Sequence, residues 1–135
     1  MSQTWIDVAA GAILSGDGQS VLLAKRGAKQ HQGNLWEFPG GKLEPDEPAT
    51  VALNRELQEE LGITPDHVEE LLTVEHDYFD KSVRLHVFIV RSFTGVPEGR
   101  EGQPLQWAAL SELSDYSFPE ANVPIVNALQ AAQKG

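Results

Sequence analysis

GGKLEPDEPATVALNRELQEELGI, Gly40 to Ile63, holds Glu44, Asp46, Glu47, Glu56, Glu59 and Glu60 in one short stretch. Leu53, Leu57 and Leu61 recur every four residues, the mark of one buried helical stripe. Pro48 fits the first position of that helix and Gly62 its C-terminal cap. At 100° per residue with Glu56 at the origin, Glu60 falls at roughly 40°, Glu59 at roughly 300° and the leucines at roughly 60° to 140°. The carboxylates therefore sit beside the buried face and not opposite it. Like charges four apart on a helix cost about 0.2–0.5 kcal/mol per pair. Arg55, placed to pair with Glu59 or Glu47, cannot neutralise all of them. A solvated acidic face is the ordinary reading of a Glu-rich run. Acids crowded against the edge of a core instead suit a hard divalent cation, Mg2+ or Mn2+, which keeps several waters and bridges to phosphates.

Outward from this helix the chain reads mainly as strands. Ile6–Leu14 is apolar and small, Gly16-Asp17-Gly18 is a turn, and Val21–Ala24 is a second short strand, so these two are predicted to form a hairpin. His31–Asn34 is loop-like, and Leu35–Phe38 reads as a short strand stopped by Pro39-Gly40-Gly41. Val68–Tyr78 and Ser82–Phe93 flank a turn at Phe79-Asp80-Lys81, with Val83, Leu85, Val87 and Ile89 alternating in the second strand. Gly95–Gln103 is a Gly-rich charged loop and Leu105–Ala108 another short strand. Val123–Ala132 reads as a terminal helix introduced by Pro119 and Asn122. The expected class is α+β, a mixed sheet sandwiched between helices, with residues 1–135 as a single domain.

Composition narrows the function. With 41% apolar residues a core is feasible, and no apolar run approaches the roughly 18 residues of a membrane span. The N-terminal sequence lacks the basic region and cleavage site of a signal peptide, so the cytoplasm is the expected compartment. The absence of cysteine excludes disulfides, thiolate metal sites and a cysteine nucleophile. Ten basic against twenty acidic residues give a net charge of −10. That field repels a nucleic-acid polymer and favours an anionic ligand that arrives with metal. Without an obvious extra interface segment, a monomer is expected.

The spacing of Gly41, Glu47, Arg55, Glu56, Leu57, Glu59, Glu60, Gly62 and Ile63 matches G-x5-E-x7-R-E-U-x-E-E-x-G-U, with U a bulky aliphatic residue, at every specified position. The segment thus resembles the Nudix box, the loop–helix–loop that holds divalent metal for diphosphate cleavage. LWEFPGGK before it, EGQP in the later loop and FPEANVPIV near the C-terminus are similar to the MutT branch, whose members hydrolyse oxidised guanine nucleoside triphosphates. The resemblance runs over nearly the whole chain. It implies the Nudix fold and a nucleoside triphosphate, 8-oxo-dGTP, as substrate, cleaved to the monophosphate and pyrophosphate.

The same resemblance implies roles. Glu56, Glu59, Glu60 and Glu101, with the Gly40 carbonyl, would hold the metal, and Glu56 would be the base that orients or deprotonates the attacking water. Gly41, Glu47, Arg55 and Gly62 would be structural, Glu47 and Arg55 fixing the loop against the helix. Arg26, His31, Glu37, Phe38, Pro39, Gly40, Lys42, Lys81 and Asn122 would line the nucleotide site. Asn122 aligns with an Asn that reads the guanine edge, where its amide satisfies O6 and N1–H together; capping of the last helix is the alternative. In 8-oxoguanine N7 is a donor, so a carbonyl near Phe38 would accept from it and repel normal guanine. Lys81 departs from the family, which has Arg there, and the two are not interchangeable at stacked or bidentate sites. His67, His76 and His86 receive no role, and Trp36 and Trp107 read as packing residues. Two alternatives remain at this point: a Nudix pyrophosphohydrolase for pyrimidine triphosphates, and a non-catalytic nucleotide-binding module. The latter would be expected to have lost a helix carboxylate, and none is missing.

Overall fold

Strand β1 (Trp5–Ile13) is the axis of the molecule in a computed structural model that describes residues 4–27 and 34–134. On one edge it pairs antiparallel with β4 (Gly40–Lys42), Ala10 opposite Gly40 and Ala9 opposite Gly41. On the other it pairs parallel with β6 (Ser82–Thr94) from Trp5–Ser82 to Ile13–Val90. β5 (Thr64–Asp77) completes this mixed sheet antiparallel to β6, in the order β4-β1-β6-β5. A second, antiparallel sheet has the order β3-β2-β7, built from β3 (Trp36–Glu37), β2 (Ser20–Lys25) and β7 (Leu105–Ala109).

The helices cover opposite faces. α1 (Ala49–Leu61) buries Ala52, Leu53, Leu57 and Leu61 against Ala9, Ile13, Leu22 and Val90. α2 (Val123–Lys134) buries Ile125, Val126 and Leu129 against Ala10, Ala12, Val21 and Leu23. Alternate residues of β1 and β2 thus feed two separate cores, as the period of two requires. Burial in β6 alternates from Ser82 to His86 and is continuous from Val87 to Val90, where both faces are covered. Together the layers form the α+β arrangement expected, with the strands in two sheets instead of one.

The predicted hairpin of the first two strands is not formed beyond its turn. Ser15 and Asp17 close the turn, with Gln19 N donating to Asp17 Oδ1 at 3.0 Å, and one bridge joins Leu14 to Val21. The strands then diverge because both edges of β1 are already taken by β4 and β6. Gly40-Gly41, expected to stop a strand, are themselves the strand β4. The edge of β1 needs a close backbone partner there, and a Cβ at Gly40 would overlap the backbone of Ala9. β3 is shorter than Leu35–Phe38, and β5 begins four residues before Val68, directly after the helix. Register shifts between Pro65 and Val68 and between Glu70 and Leu72 break the alternation that marks a strand in sequence. Trp36 packs edge-on against Tyr116 as expected, and Trp107 is 39% exposed on β7. Of the histidines, His86 is held by Asp7 at 2.9 Å.

Candidate active site

The loop before α1 is tied to the helix by one arginine. Arg55 donates from Nε and Nη2 to the two oxygens of Glu47, at 3.0 and 2.8 Å, and from Nη2 to the Lys42 carbonyl at 3.1 Å. Glu47 in turn accepts from the Glu44 amide at 2.9 Å. These bonds hold the Glu47 carboxyl far below its ordinary range, at about 2, with Arg55 the largest cause. Pro48 caps the helix with extended backbone and no side-chain bond, one position earlier than expected. Gly62 ends the helix at φ 74°, its amide donating to the Gln58 carbonyl at 3.0 Å.

The helix carries its carboxylates toward β4. Glu56, 15% exposed, lies directly over Gly41, where any Cβ would overlap its carboxylate. It accepts from Arg55 Nη1 at 2.8 Å. Glu60 lies close enough to Glu56 for the two carboxylates to repel each other. Burial first, then the charges of Glu56, Glu101 and Glu37, push the Glu60 carboxyl up to about 8. Glu59 stands apart: it is 60% exposed, and Arg55 lies 3.6 Å from it.

Glu101 comes from the loop between β6 and β7, which is clipped to the end of α1. The Glu98 and Arg100 amides donate to the Leu61 and Glu60 carbonyls, each at 3.0 Å. Arg100 Nη1 reaches the Gln58 carbonyl at 3.4 Å, a cation placed at the negative end of the helix. Gln103 spans the junction: Nε2 donates to the Glu60 carbonyl at 3.4 Å, and Oε1 accepts from the Glu101 amide at 2.9 Å. The helix end, whose last carbonyls lack intrahelical partners, thereby fixes the loop that brings Glu101 to Glu60.

Two recesses meet at this point. A polar one of about 450 Å³ is lined by Glu60, Glu101 and Gln103. A second, of about 270 Å³, has apolar walls from Ile6, Val8, Phe38, Val83 and Leu85, with Lys42, Lys81, Tyr78 and Asn122 opening into it. Arg26, Glu37 and Glu60 line both. Arg26 and Glu37 form an ion pair, and burial still raises the Glu37 carboxyl above its ordinary value against the pull of Arg26. Phe38 stacks on Phe118 with centroids 5.6 Å apart, and its backbone lies between β3 and β4, in neither ladder. Pro39 is buried behind the wall, its carbonyl accepting from the Gly11 amide at 2.8 Å. Asn122 is the one buried polar side chain among the described residues. Its backbone amide donates to the Pro119 carbonyl at 2.9 Å, and its side chain has no hydrogen-bond partner among the described residues. His31 lies outside the described residues.

The structure therefore gathers Arg26, Glu37, Phe38, Gly40, Gly41, Lys42, Glu60, Lys81, Glu101 and Asn122 about one bipartite cleft, with Glu56 beneath Gly41. The roles of Tyr78 and Gln103 were not legible in the sequence. Tyr78 meets Ala121 and Gln103 meets Glu60, each 43 positions away, and no local pattern signals such contacts.

The carboxylates fit a divalent cation. Glu37, Glu56, Glu60 and Glu101 act electrostatically on one half-buried site, and ionising all of them there without a cation is costly. Among the described residues no three are already drawn into coordinating range, so a cation would have to gather them. All-oxygen donors of this kind match Mg2+ or Mn2+.

Comparison with known proteins agrees. The NUDIX domain matches residues 9–128. The 8-oxo-dGTP diphosphatase of Escherichia coli K12 is 38% identical over 118 residues, 87% of this chain and 92% of that protein. The CTP pyrophosphohydrolase of the same organism is 40% identical over 120 residues, 89% and 88% of the two chains. A MutT structure from work on Aliivibrio salmonicida and Vibrio cholerae superposes with a TM-score of 0.84 at 36% identity, covering 96% of this chain and 99% of that one.

Proposed function

The chain belongs to the NUDIX domain family, and from that premise we propose that it hydrolyses 8-oxo-dGTP to 8-oxo-dGMP and pyrophosphate, clearing an oxidised nucleotide before it enters DNA. The observation that carries this reading is Asn122, a buried amide whose side chain has no hydrogen-bond partner among the described residues, opening into an apolar cleft that runs on to the carboxylates. Its acceptor and donors match N1–H and O6 of guanine. The Phe38 carbonyl is the acceptor for the N7–H that only the oxidised base carries. Lys42 offsets the charge of the phosphates, and Arg26, His31 and Lys81 belong to the same nucleotide site in this reading.

The family depends on a divalent metal, here Mg2+ with Mn2+ as a substitute. Glu56, Glu59, Glu60, Glu101 and the Gly40 carbonyl are its holders, and when bound it neutralises phosphate oxygens and acidifies water. Glu56 takes the proton of the attacking water, which is directed at the β-phosphorus so that the nucleoside monophosphate leaves. Gly41 lets Glu56 approach the strand, and Arg55 with Glu47 keeps the helix in register with the loop. The chain acts as one unit over residues 1–135, and as a monomer. Among the described residues no helix is long and apolar enough to cross a membrane.

The pyrimidine reading has one specific support, the CTP pyrophosphohydrolase of comparable identity. Asn122→Asp tests the choice. The expected result is weakened preference for guanine with metal binding intact; an unchanged base preference overturns the assignment of Asn122.

A further inference from the structure

The 3-10 turn that leads into the last helix begins without a side-chain cap. Pro119 offers no side-chain bond to the 3-10 turn Glu120–Asn122 that precedes α2, and the first amides of a helix have no partner within it. Ala121 is only 2% exposed, so an unpaired N–H there would bear the full cost of a buried donor. It donates instead to Tyr78 Oη at 2.9 Å. His76, two residues earlier and so on the same side of the chain, makes a second contact: its Nε2 lies 3.2 Å from the Glu120 carboxylate. The His76 ring also meets the Tyr78 ring edge-on at 4.5 Å. The end of β5 thus grips Glu120 and Ala121, the two residues directly before Asn122.

We infer that Tyr78 and His76 are positioning residues for base selection, holding the turn that aims the Asn122 amide at the nucleobase. The inference rests on the reading of Asn122 as the base-contacting group. An amide that must present acceptor and donor to two atoms of one base edge is sensitive to small rotations. The phosphate end is not, because its groups sit on α1 and on the loop docked to it. Tyr78 also lines the cleft beside Lys81, so one side chain joins the two walls that enclose the base. Its hydroxyl supplies what the missing cap does not.

The test is Tyr78→Phe, which keeps the ring and removes only the acceptor, with His76→Gln as a second variant. kcat/KM is measured for 8-oxo-dGTP and dCTP, alone and combined with Asn122→Ala. The expected result for Tyr78→Phe is a fall of roughly three- to tenfold for 8-oxo-dGTP, carried mostly by KM, with a smaller fall for dCTP. In the Asn122→Ala background the change should add no further loss of selectivity, because it acts through Asn122. Equal falls for both substrates, or full additivity with Asn122→Ala, would show a merely structural clamp and overturn the inference. Intact selectivity in Tyr78→Phe and His76→Gln while Asn122→Ala loses it overturns the clamp alone. Intact selectivity in Asn122→Ala overturns the base reading and the clamp with it.

Discussion

A side chain at residue 41 would occupy the space that the Glu56 carboxylate fills. That one close approach links the glycine and the glutamate of the motif: the strand can lie under the helix only if the residue between them has no Cβ. Glu56 is held from the other side by Arg55 at 2.8 Å and faces Glu60. A Gln at position 56 keeps the shape and the bond to Arg55 but loses the proton acceptor. Glu56→Gln is therefore expected to lower kcat by at least about a hundredfold while the melting temperature stays near that of the parent. Turnover close to wild type would show that another group takes the proton. At this scale the motif residues were legible because their spacing is a local property of one helix and its loop. Glu59 shows the limit: spacing gives its place on the helix, but not its 60% exposure or the approach of Arg55 to 3.6 Å.

At the scale of elements, α1 and the loop after β6 behave as one assembly. Four bonds to the carbonyls of Gln58, Glu60 and Leu61 dock the loop on the helix end, and Gln103 sets the path from the Glu60 carbonyl to the Glu101 amide. Gln103→Ala removes that span without touching either carboxylate. The expected outcome is a fall in kcat/KM of roughly two- to tenfold and a higher Mg2+ concentration for half-maximal activity. An unchanged metal dependence would show that the loop is held without it. None of this pairing was visible in sequence, where the loop showed its Gly-rich, charged character and the EGQP motif with Glu101 but not what holds it. The first two strands show why: the turn was read correctly, but which edge each strand uses depends on β4 and β6, neither of them local. The helices were easier, since a leucine every fourth residue and a left-handed glycine are written in consecutive residues.

Across the whole molecule the net charge is −10, and Glu37, Glu56, Glu60 and Glu101 crowd one part of the cleft. The carboxyl of Glu60 makes this measurable. Its folded value, about 8, lies above the ordinary 4.5, so the folded state holds more protons than the unfolded chain between these values. Stability from this group is thus present at low pH and is lost as pH rises toward 8. Glu47 works in the opposite sense: depressed to about 2, its contribution is present above about 4.5 and lost only as pH falls toward 2. With chelator present, the melting temperature is expected to fall between pH 5 and pH 8.5, and Glu60→Gln should flatten that fall. Millimolar Mg2+ should restore stability at pH 8.5, because it binds the folded state alone. A chelated protein equally stable at both pH values would contradict the crowding of carboxylates described above.

Fold class and chemistry were therefore within reach of the sequence, while the shape of the base cleft was not. Its walls come from β1, β4, β6, the turn between β5 and β6, the segment after β3 and the turn before α2, brought together only by the tertiary fold. The base is also where the two Escherichia coli relatives part, one named for 8-oxo-dGTP and the other for CTP. The most direct measurement is kcat/KM with Mg2+ for 8-oxo-dGTP, dGTP, dCTP and CTP on the wild-type protein. The result expected is a value for 8-oxo-dGTP far above the other three. A preference for CTP or dCTP would leave the carboxylate chemistry standing and contradict the central claim, that Asn122 and the Phe38 carbonyl select an oxidised guanine.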